Sequence, residues 1–194
     1  MDKLLYKLCY SFSQPNWENG LTPDKLITTA STCSDKPGTA LDLGCGTGTQ
    51  AVALAGRGWT VYGIDFVPKA IRIAHAKADQ AGLNSNIHFL QGNISKLNNM
   101  GIPKLDFAYD LGCLHTLKSE DQRKVIIALA GLLPRDRIFL LFGLKFRNET
   151  GYKYGLSKEQ VTGLIEPYFT LDSYEEDMLW DKPGAWYLLR RSAA

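Results

Sequence analysis

The sequence predicts an α/β fold in which a mostly parallel sheet is wound on both faces by helices. Three observations predict it. Short apolar runs rich in Leu, Val and Ile alternate with stretches of helical periodicity. A glycine-dense turn, Gly44-Cys45-Gly46-Thr47-Gly48, directly follows the first apolar run. The last two strand-like segments have no readable helix between them. Alternating elements of this kind build parallel sheets with right-handed crossovers.

Taken in order, "TALDLG" (39–44) and "TVYGID" (60–65) read as strands flanking the helical "TGTQAVALAGRG" (47–58). Pro68 suits the first turn of the next helix, "KAIRIAHAKADQAG", which ends at Gly82. "IHFLQGN" and "LDFAYDLG" supply two further strands. "SEDQRKVIIALAGLL" opens with Ser119 and Gln122 at capping-box spacing and puts Val125, Leu129 and Leu132 on one face. "RIFLLFGL" is nearly continuous in apolar residues, as a strand covered on both faces should be. "GLSKEQVTGLIEPYF" repeats the capping-box spacing with Ser157 and Gln160. "FTLDSYEED" and "AWYLLRR" form a terminal antiparallel hairpin, joined by a loop expected to contain Pro183 and Gly184. Residues 1–37 read as a helical extension covering a single core of residues 38–194; no repeat or composition shift marks a second domain.

Composition narrows the classes. With 45% hydrophobic and 22% charged residues the chain is ordinary for a soluble domain. A formal charge of +2, without a Lys/Arg block, gives no footprint for nucleic acid. Cys9, Cys33, Cys45 and Cys113 show no metal-ligand spacing and read as reduced thiols of a cytoplasmic protein. No run reaches the ~20 apolar residues of a membrane helix.

In an open α/β sheet, ligands sit outside the carboxyl ends of the strands. Glycines at 44, 46 and 48 let main chain approach a ligand there, and the following helix offers free N–H groups to a carboxylate. A dinucleotide fingerprint would need a glycine at Thr49, and a Walker loop would need Gly-Lys-Ser/Thr. Neither is present. Asp65, 17 residues after Gly48, is placed to accept both hydroxyls of a ribose. Phe66 and Val67 would flank a base, Asn93 would meet its edge, and Asp110 would aim a further carboxylate into the crevice. A nucleoside joined to an amino acid fits this set better than one joined to phosphates.

"LDLGCGTGTQAV", "VYGIDFVP", "LQGNI" and "LDFAYDLGCLHTL" together resemble the successive cofactor motifs of class I S-adenosylmethionine-dependent methyltransferases. The resemblance implies a Rossmann-like seven-stranded sheet of order 3-2-1-4-5-7-6 with only the last strand antiparallel. It implies that Asp42, Gly44, Cys45, Gly46 and Gly48 surround the methionine part of S-adenosylmethionine. Asp65 would take the ribose, Phe66, Asn93 and Ile94 the adenine, and Asp110 and Leu111 the region of the methionine amine and transferred methyl. Asn93 departs from the family's usual aspartate.

Methyl transfer from a sulfonium is an in-line displacement that alignment alone can accelerate greatly. A thiolate or amine acceptor needs a shaped pocket; a hydroxyl needs a base. His115 is the candidate base, whereas His75 and His88 fall on elements away from the mouth, and Cys113 has no activating cation. The run after the fourth strand, Asp110-Leu111-Gly112-Cys113, lacks the Asn/Asp-Pro-Pro-aromatic motif of DNA adenine and protein glutamine enzymes. The acceptor is therefore expected to be a small molecule. "QPNWENGLTP", with Trp17, resembles the segment covering the site in thiopurine, thiol and tellurite-resistance-type methyltransferases, which favours S-methylation over O- or N-methylation. Trp17, His115, Arg147 and Tyr152 are the candidate acceptor contacts. The rival readings are a non-methylating protein that binds the same cofactor, and an RNA or protein methyltransferase.

Overall fold

A computed structural model describes Cys9, Tyr10, Pro15, residues 17–145 and residues 155–192. After helix α1 (Asp24–Thr32), the chain runs β1 (Thr39–Leu43), α2 (Thr49–Ala55), β2 (Thr60–Asp65), α3 (Pro68–Gln80) and β3 (Ile87–Gln91). A short 3-10 segment (Ile94–Asn99) leads to β4 (Phe107–Leu111), a second one (Leu114–Thr116) and α4 (Ser119–Leu132). Then follow β5 (Ile138–Leu144), α5 (Lys158–Ile165), β6 (Phe169–Leu179) and β7 (Lys182–Arg191).

The seven strands order as β3-β2-β1-β4-β5-β7-β6, and β7 alone runs antiparallel to its neighbours. Alternate residues of the central strands feed two apolar layers. Leu41, Leu43, Ala108, Phe139 and Leu141 pack under α4 and α5. Ala40, Val61, Phe107, Tyr109, Leu140 and Phe142 pack under α1, α2 and α3. Helix α1 joins the second layer through Leu26 and Ala30, so part of the N-terminal extension belongs to the core. No helix among the described residues is long and apolar enough to cross a membrane.

Two local expectations need correction. The Ser119/Gln122 capping box does not form: Lys118 is the N-cap, and the Gln122 amide turns inward to donate to Leu114 O and Leu117 O, both at 3.2 Å. Satisfying two buried carbonyls after β4 outweighs capping an exposed helix end. The Ser157/Gln160 box forms as the spacing predicts. At the hairpin, Pro183 and Gly184 lie inside β7, and the turn is made by Trp180 and Asp181, with φ of 51° and 62°. Gly184 serves packing instead: a Cβ there would stand 2.3 Å from the Phe142 ring and 2.7 Å from Gly143 O.

Gly184→Ala should therefore lower stability by about 1–3 kcal/mol through overpacking. Gly163→Ala, in α5 with nothing within 4 Å of the new Cβ, should raise it by about 0.5–1 kcal/mol. Urea unfolding of the two variants against the parent checks both signs.

Candidate active site

The parallel ladders bring three acids to one end of the sheet. Asp42 is the penultimate residue of β1, Asp65 ends β2, and Asp110 is the penultimate residue of β4. Leu43 pairs with Ile64 on one side and Asp110 on the other, which fixes their relative levels. All three acids are buried, and none belongs to an ion pair among the described residues. Burial pushes the Asp65 carboxyl up to about 6 and that of Asp110 up to about 7. Asp42 is raised well above the usual carboxylate range, by burial first and then by the charges of Asp110 and Asp65.

The glycine turn closes over these acids. Gly44 N and Cys45 N donate to Ile64 O at 2.9 and 3.0 Å, tying the turn to the end of β2. Gly44, Gly46 and Gly48 all have positive φ, 73°, 52° and 76°. At Gly44 a Cβ would meet Cys113 Cβ at 2.5 Å, so the turn and the segment after β4 touch through that bare carbon. Asp65 then grips the turn: Oδ2 accepts from Gly46 N at 3.1 Å and Oδ1 from Val67 N at 2.8 Å. A carboxylate accepts about four hydrogen bonds, so each oxygen retains capacity.

Asp110 is where the expected geometry changes. Its carboxylate is wholly buried and accepts from Gly112 N, Cys113 N and Leu114 N at 2.8–2.9 Å. Instead of aiming into the crevice, it shapes the backbone from Leu111 to Leu114. Asn93 likewise spends its carbonyl oxygen, accepting from Ser95 N at 3.1 Å as the N-cap of the first 3-10 segment, which leaves its amide NH2 to donate. Ile94 buries its side chain in the core beside Leu97. Phe66 packs at the rim with Tyr10 and Val67. Asp42 Oδ2 and the Tyr109 hydroxyl are buried with no hydrogen bond of normal geometry.

Cys45 and Cys113 are buried enough that their thiols are pushed well above the ordinary value, which makes neither a nucleophile. His115 is 6% exposed, its Nδ1 has no partner among the described residues, and burial lowers its pKa to about 4. His75 and His88 pack edge-on against Phe89 and over Tyr62, away from the mouth. Arg147 and Tyr152 lie outside the described residues.

Three residues of the site escaped the sequence reading. Glu18, in the segment that also holds Trp17, lays its carboxylate on the glycine turn. It accepts from Thr47 N at 3.0 Å, from the Thr47 hydroxyl and from the Tyr10 hydroxyl. A Cβ on Gly46 would collide with Glu18 Oε1. Lys77 Nζ donates to Thr47 and Thr49 hydroxyls at 2.7 Å on the same side. Within the turn, the Thr47 N–H is thus already taken by a carboxylate of this chain. The third residue is Lys182, whose Nζ stands 5.5 Å from the centre of the Trp17 ring. A surface cleft lined by Ser34, Lys36, Arg57 and Trp59 opens at the amino ends of the strands, opposite the crevice.

A doubly wound sheet, a three-glycine turn and an acid at the end of β2 define the class of nucleoside-binding enzymes with an open crevice at the strand ends. A family profile described as a methyltransferase domain matches residues 40–136, half of the chain. An uncharacterized methyltransferase from Schizosaccharomyces pombe is 30% identical over 113 residues, spanning 58% of this chain and 76% of that protein. Among solved structures, one described in work on the conversion of a disulfide bond into a thioacetal group during echinomycin biosynthesis superposes with a TM-score of 0.81. It is 23% identical and covers 99% of this chain and 93% of its own. The 1,6-didemethyltoxoflavin-N1-methyltransferase of Burkholderia thailandensis, with bound 1,6-didemethyltoxoflavin and S-adenosylhomocysteine, gives 0.79 at 16% identity, covering 97% and 86%. The chain belongs to the methyltransferase-domain family; it is a class I S-adenosylmethionine-dependent methyltransferase. That donor carries a sulfonium, an ammonium and a carboxylate, and buried acids without a cationic partner among the described residues, beside bare main chain, suit its two cationic groups.

Gly44→Ala should cost about 2–4 kcal/mol, from left-handed strain plus the clash with Cys113. Pairing it with Cys113→Gly should reduce the cost to about 1–2 kcal/mol, the strain alone. A double-mutant cycle in denaturant measures the difference.

Proposed function

We propose that this methyltransferase moves a methyl group to a small-molecule acceptor through sulfur. The observation that carries the reading is the cluster of acids around a glycine turn, without cationic partners among the described residues, joined to a His115 imidazole too weakly basic to take a proton from a hydroxyl. In this reading Asp65 would receive the ribose hydroxyls on the capacity left to its two oxygens. Phe66 and the Asn93 amide would meet adenine, with the Ile94 main chain alongside. The turn from Asp42 through Gly44, Cys45, Gly46 and Gly48 would hold the methionine part, and the Leu111 main chain would lie near the methyl. When bound, S-adenosylmethionine supplies the electrophilic methyl; the residues of this chain align it and exclude water.

The preference for sulfur over oxygen follows from His115, and that over nitrogen from the resemblance of the Trp17 segment to thiol-methylating enzymes. An imidazole whose pKa is about 4 takes a proton from a thiol of pKa near 8.5 only at a cost of about 6 kcal/mol. An alcohol would cost far more. A thiol that ionises in water before binding needs no such step, so His115 shapes the acceptor wall with Trp17 rather than acting as the base. A small acceptor is further supported by the near-neutral charge balance, which offers no track for a nucleic acid.

Release of S-adenosylhomocysteine across a panel of thiols, phenols, alcohols and amines tests this reading, with thiols expected to turn over fastest. Faster turnover of amines or alcohols would refute the sulfur preference. No product from any acceptor, with the cofactor still bound, would favour the non-methylating alternative.

Asp65→Asn should weaken S-adenosylhomocysteine binding by about 10- to 100-fold, the range for losing a charged hydrogen-bond acceptor. Binding to the parent should weaken as the pH falls through about 6, where Asp65 takes up its proton and loses acceptor capacity. In Asp65→Asn that segment of the pH profile should be flat. Isothermal titration from pH 5 to 8 measures both.

A further inference from the structure

The N-terminal segment lays a carboxylate on the same turn to which the methionine part of the donor was assigned above. Glu18 accepts from Thr47 N at 3.0 Å, from the Thr47 hydroxyl and from the Tyr10 hydroxyl. Its Oε1 stands over the bare Cα of Gly46, where a Cβ would collide with it. From the other side Lys77 Nζ donates to the Thr47 and Thr49 hydroxyls, both at 2.7 Å. Lys77 belongs to no ion pair among the described residues, and the Glu18 charge acts on it through the shared Thr47 hydroxyl. An amide N–H and a hydroxyl, with an ammonium behind the hydroxyl, make this face of the turn fit for the two oxygens of a carboxylate.

Two features make this contact exchangeable. The first is charge. Burial is the main cause that raises Asp42 and Asp65, and the charge of Glu18 adds to the upward push on both. A fourth acid beside the other three therefore opposes their ionisation. The carboxylate of the donor satisfies the same N–H and hydroxyl, but it arrives with an ammonium and a sulfonium that favour ionised acids. The second feature is attachment. Asn19, Gly20 and Leu21, next along the chain from Glu18, are exposed. Gly20 has a φ of 77° and nothing within 4 Å of the place a Cβ would take, so its backbone can turn without repacking. Beyond it the chain is anchored: the Gln50 amide donates to Leu21 O at 3.0 Å, and Leu26 of α1 is in the core.

We propose that the Glu18 carboxylate is a competitor built into the chain: it holds the place of the donor's own carboxylate on the glycine turn, and S-adenosylmethionine binds by displacing it through a pivot at Gly20. The proposal rests on the placement of the methionine part on this turn and is independent of the acceptor. One carboxylate replaces another on the Thr47 N–H and hydroxyl, so the turn keeps its hydrogen bonds through the exchange. The apparent affinity for the donor is lowered by the fraction of molecules in which Glu18 holds the turn. Trp17 directly precedes Glu18, and its ring meets both Tyr10 and Lys182. Displacing Glu18 therefore moves the residue next to that ring, which couples arrival of the donor to the Trp17 contacts.

The test titrates the full chain with S-adenosylhomocysteine, which carries the amino-acid end, and with methylthioadenosine, which lacks it. Glu18→Ala should bind S-adenosylhomocysteine about fivefold or more tightly than the parent, because the turn is then always free. Glu18→Gln, which keeps the shape and loses the charge, should fall between the two. Methylthioadenosine should bind all three proteins within about twofold, since it does not reach the contested place. Unchanged binding of S-adenosylhomocysteine by Glu18→Ala would overturn the proposal. Weaker binding would overturn it as well, and would make Glu18 a ligand of the donor's ammonium. An equal gain for methylthioadenosine would also overturn it, since the effect would not then lie at the amino-acid end. The placement on the turn is read separately, from the amide signals of nitrogen-labelled glycines in the parent. If S-adenosylhomocysteine binds without shifting Gly44, Gly46 and Gly48, the placement fails and takes the proposal with it. If those signals move while Glu18→Ala gains no affinity, the proposal alone fails.

Discussion

The constraint on which the site depends is the burial of three carboxyl groups without a cation to neutralise them. Asp42, Asp65 and Asp110 stand at the ends of three adjacent parallel strands, and their separation is set by ladder register, not by their own preferences. Desolvation opposes their ionisation. What offsets it is main chain: Asp110 collects the N–H groups of Gly112, Cys113 and Leu114, and Asp65 those of Gly46 and Val67 with a weaker contribution from Phe66. That offset is incomplete, since both pKa values stay raised, to about 7 and about 6. A carboxyl whose folded pKa lies above its unfolded value holds its proton more tightly in the native state. Stability contributed by the protonated form is therefore lost as the pH rises from near 4 through these values. At neutral pH whatever share of these carboxyls is ionised is kept at a cost to the fold, and a cation bound beside them would favour ionisation.

The turn that encloses this charge is inseparable from the N-terminal segment. Gly46 lacks a side chain, so Glu18 can reach Thr47; Tyr10 then bonds Glu18, and the Trp17 indole N–H donates to the Tyr10 hydroxyl at 3.3 Å. A sequence of close contacts thus runs from the glycine turn to the Trp17 ring. The same Trp17 ring carries Lys182 on its face. The glycine turn and the start of β7 are joined because one short segment touches both.

Much of the architecture was legible because it rests on local patterns. Alternating apolar strands, positive-φ glycines after β1 and an acid ending β2 are short-range signals, and the sheet order and terminal hairpin agree with them. What was illegible depends on partners distant in the chain. Gln122 has capping-box spacing, but the carbonyls of Leu114 and Leu117 claim its amide. Asp110 sits at the right strand end, yet the tight turn after β4 consumes its carboxylate. Pro183 and Gly184 look like a turn, whereas the packing of Phe142 on Gly184 draws both into the strand and moves the turn to Trp180 and Asp181. Glu18 and Lys182 gave no motif at all. Their meaning lies in contacts with Thr47 and Trp17, 29 and 165 residues away along the chain.

Methyl transfer from S-adenosylmethionine removes the sulfonium charge of the donor. In the proposed placement that charge lies beside the acids at the strand ends. After transfer the donor sulfur has become a neutral thioether. The product thereby loses that electrostatic part of its attraction at the moment it forms, while the shape contacts remain. Interactions stronger for reactants than for products favour release, but they also stabilise the ground state, and only those that align the two sulfur atoms speed the displacement. The three N–H groups that Asp110 collects fix the turn after β4, where the proposed placement puts the methyl group. They turn attraction into alignment.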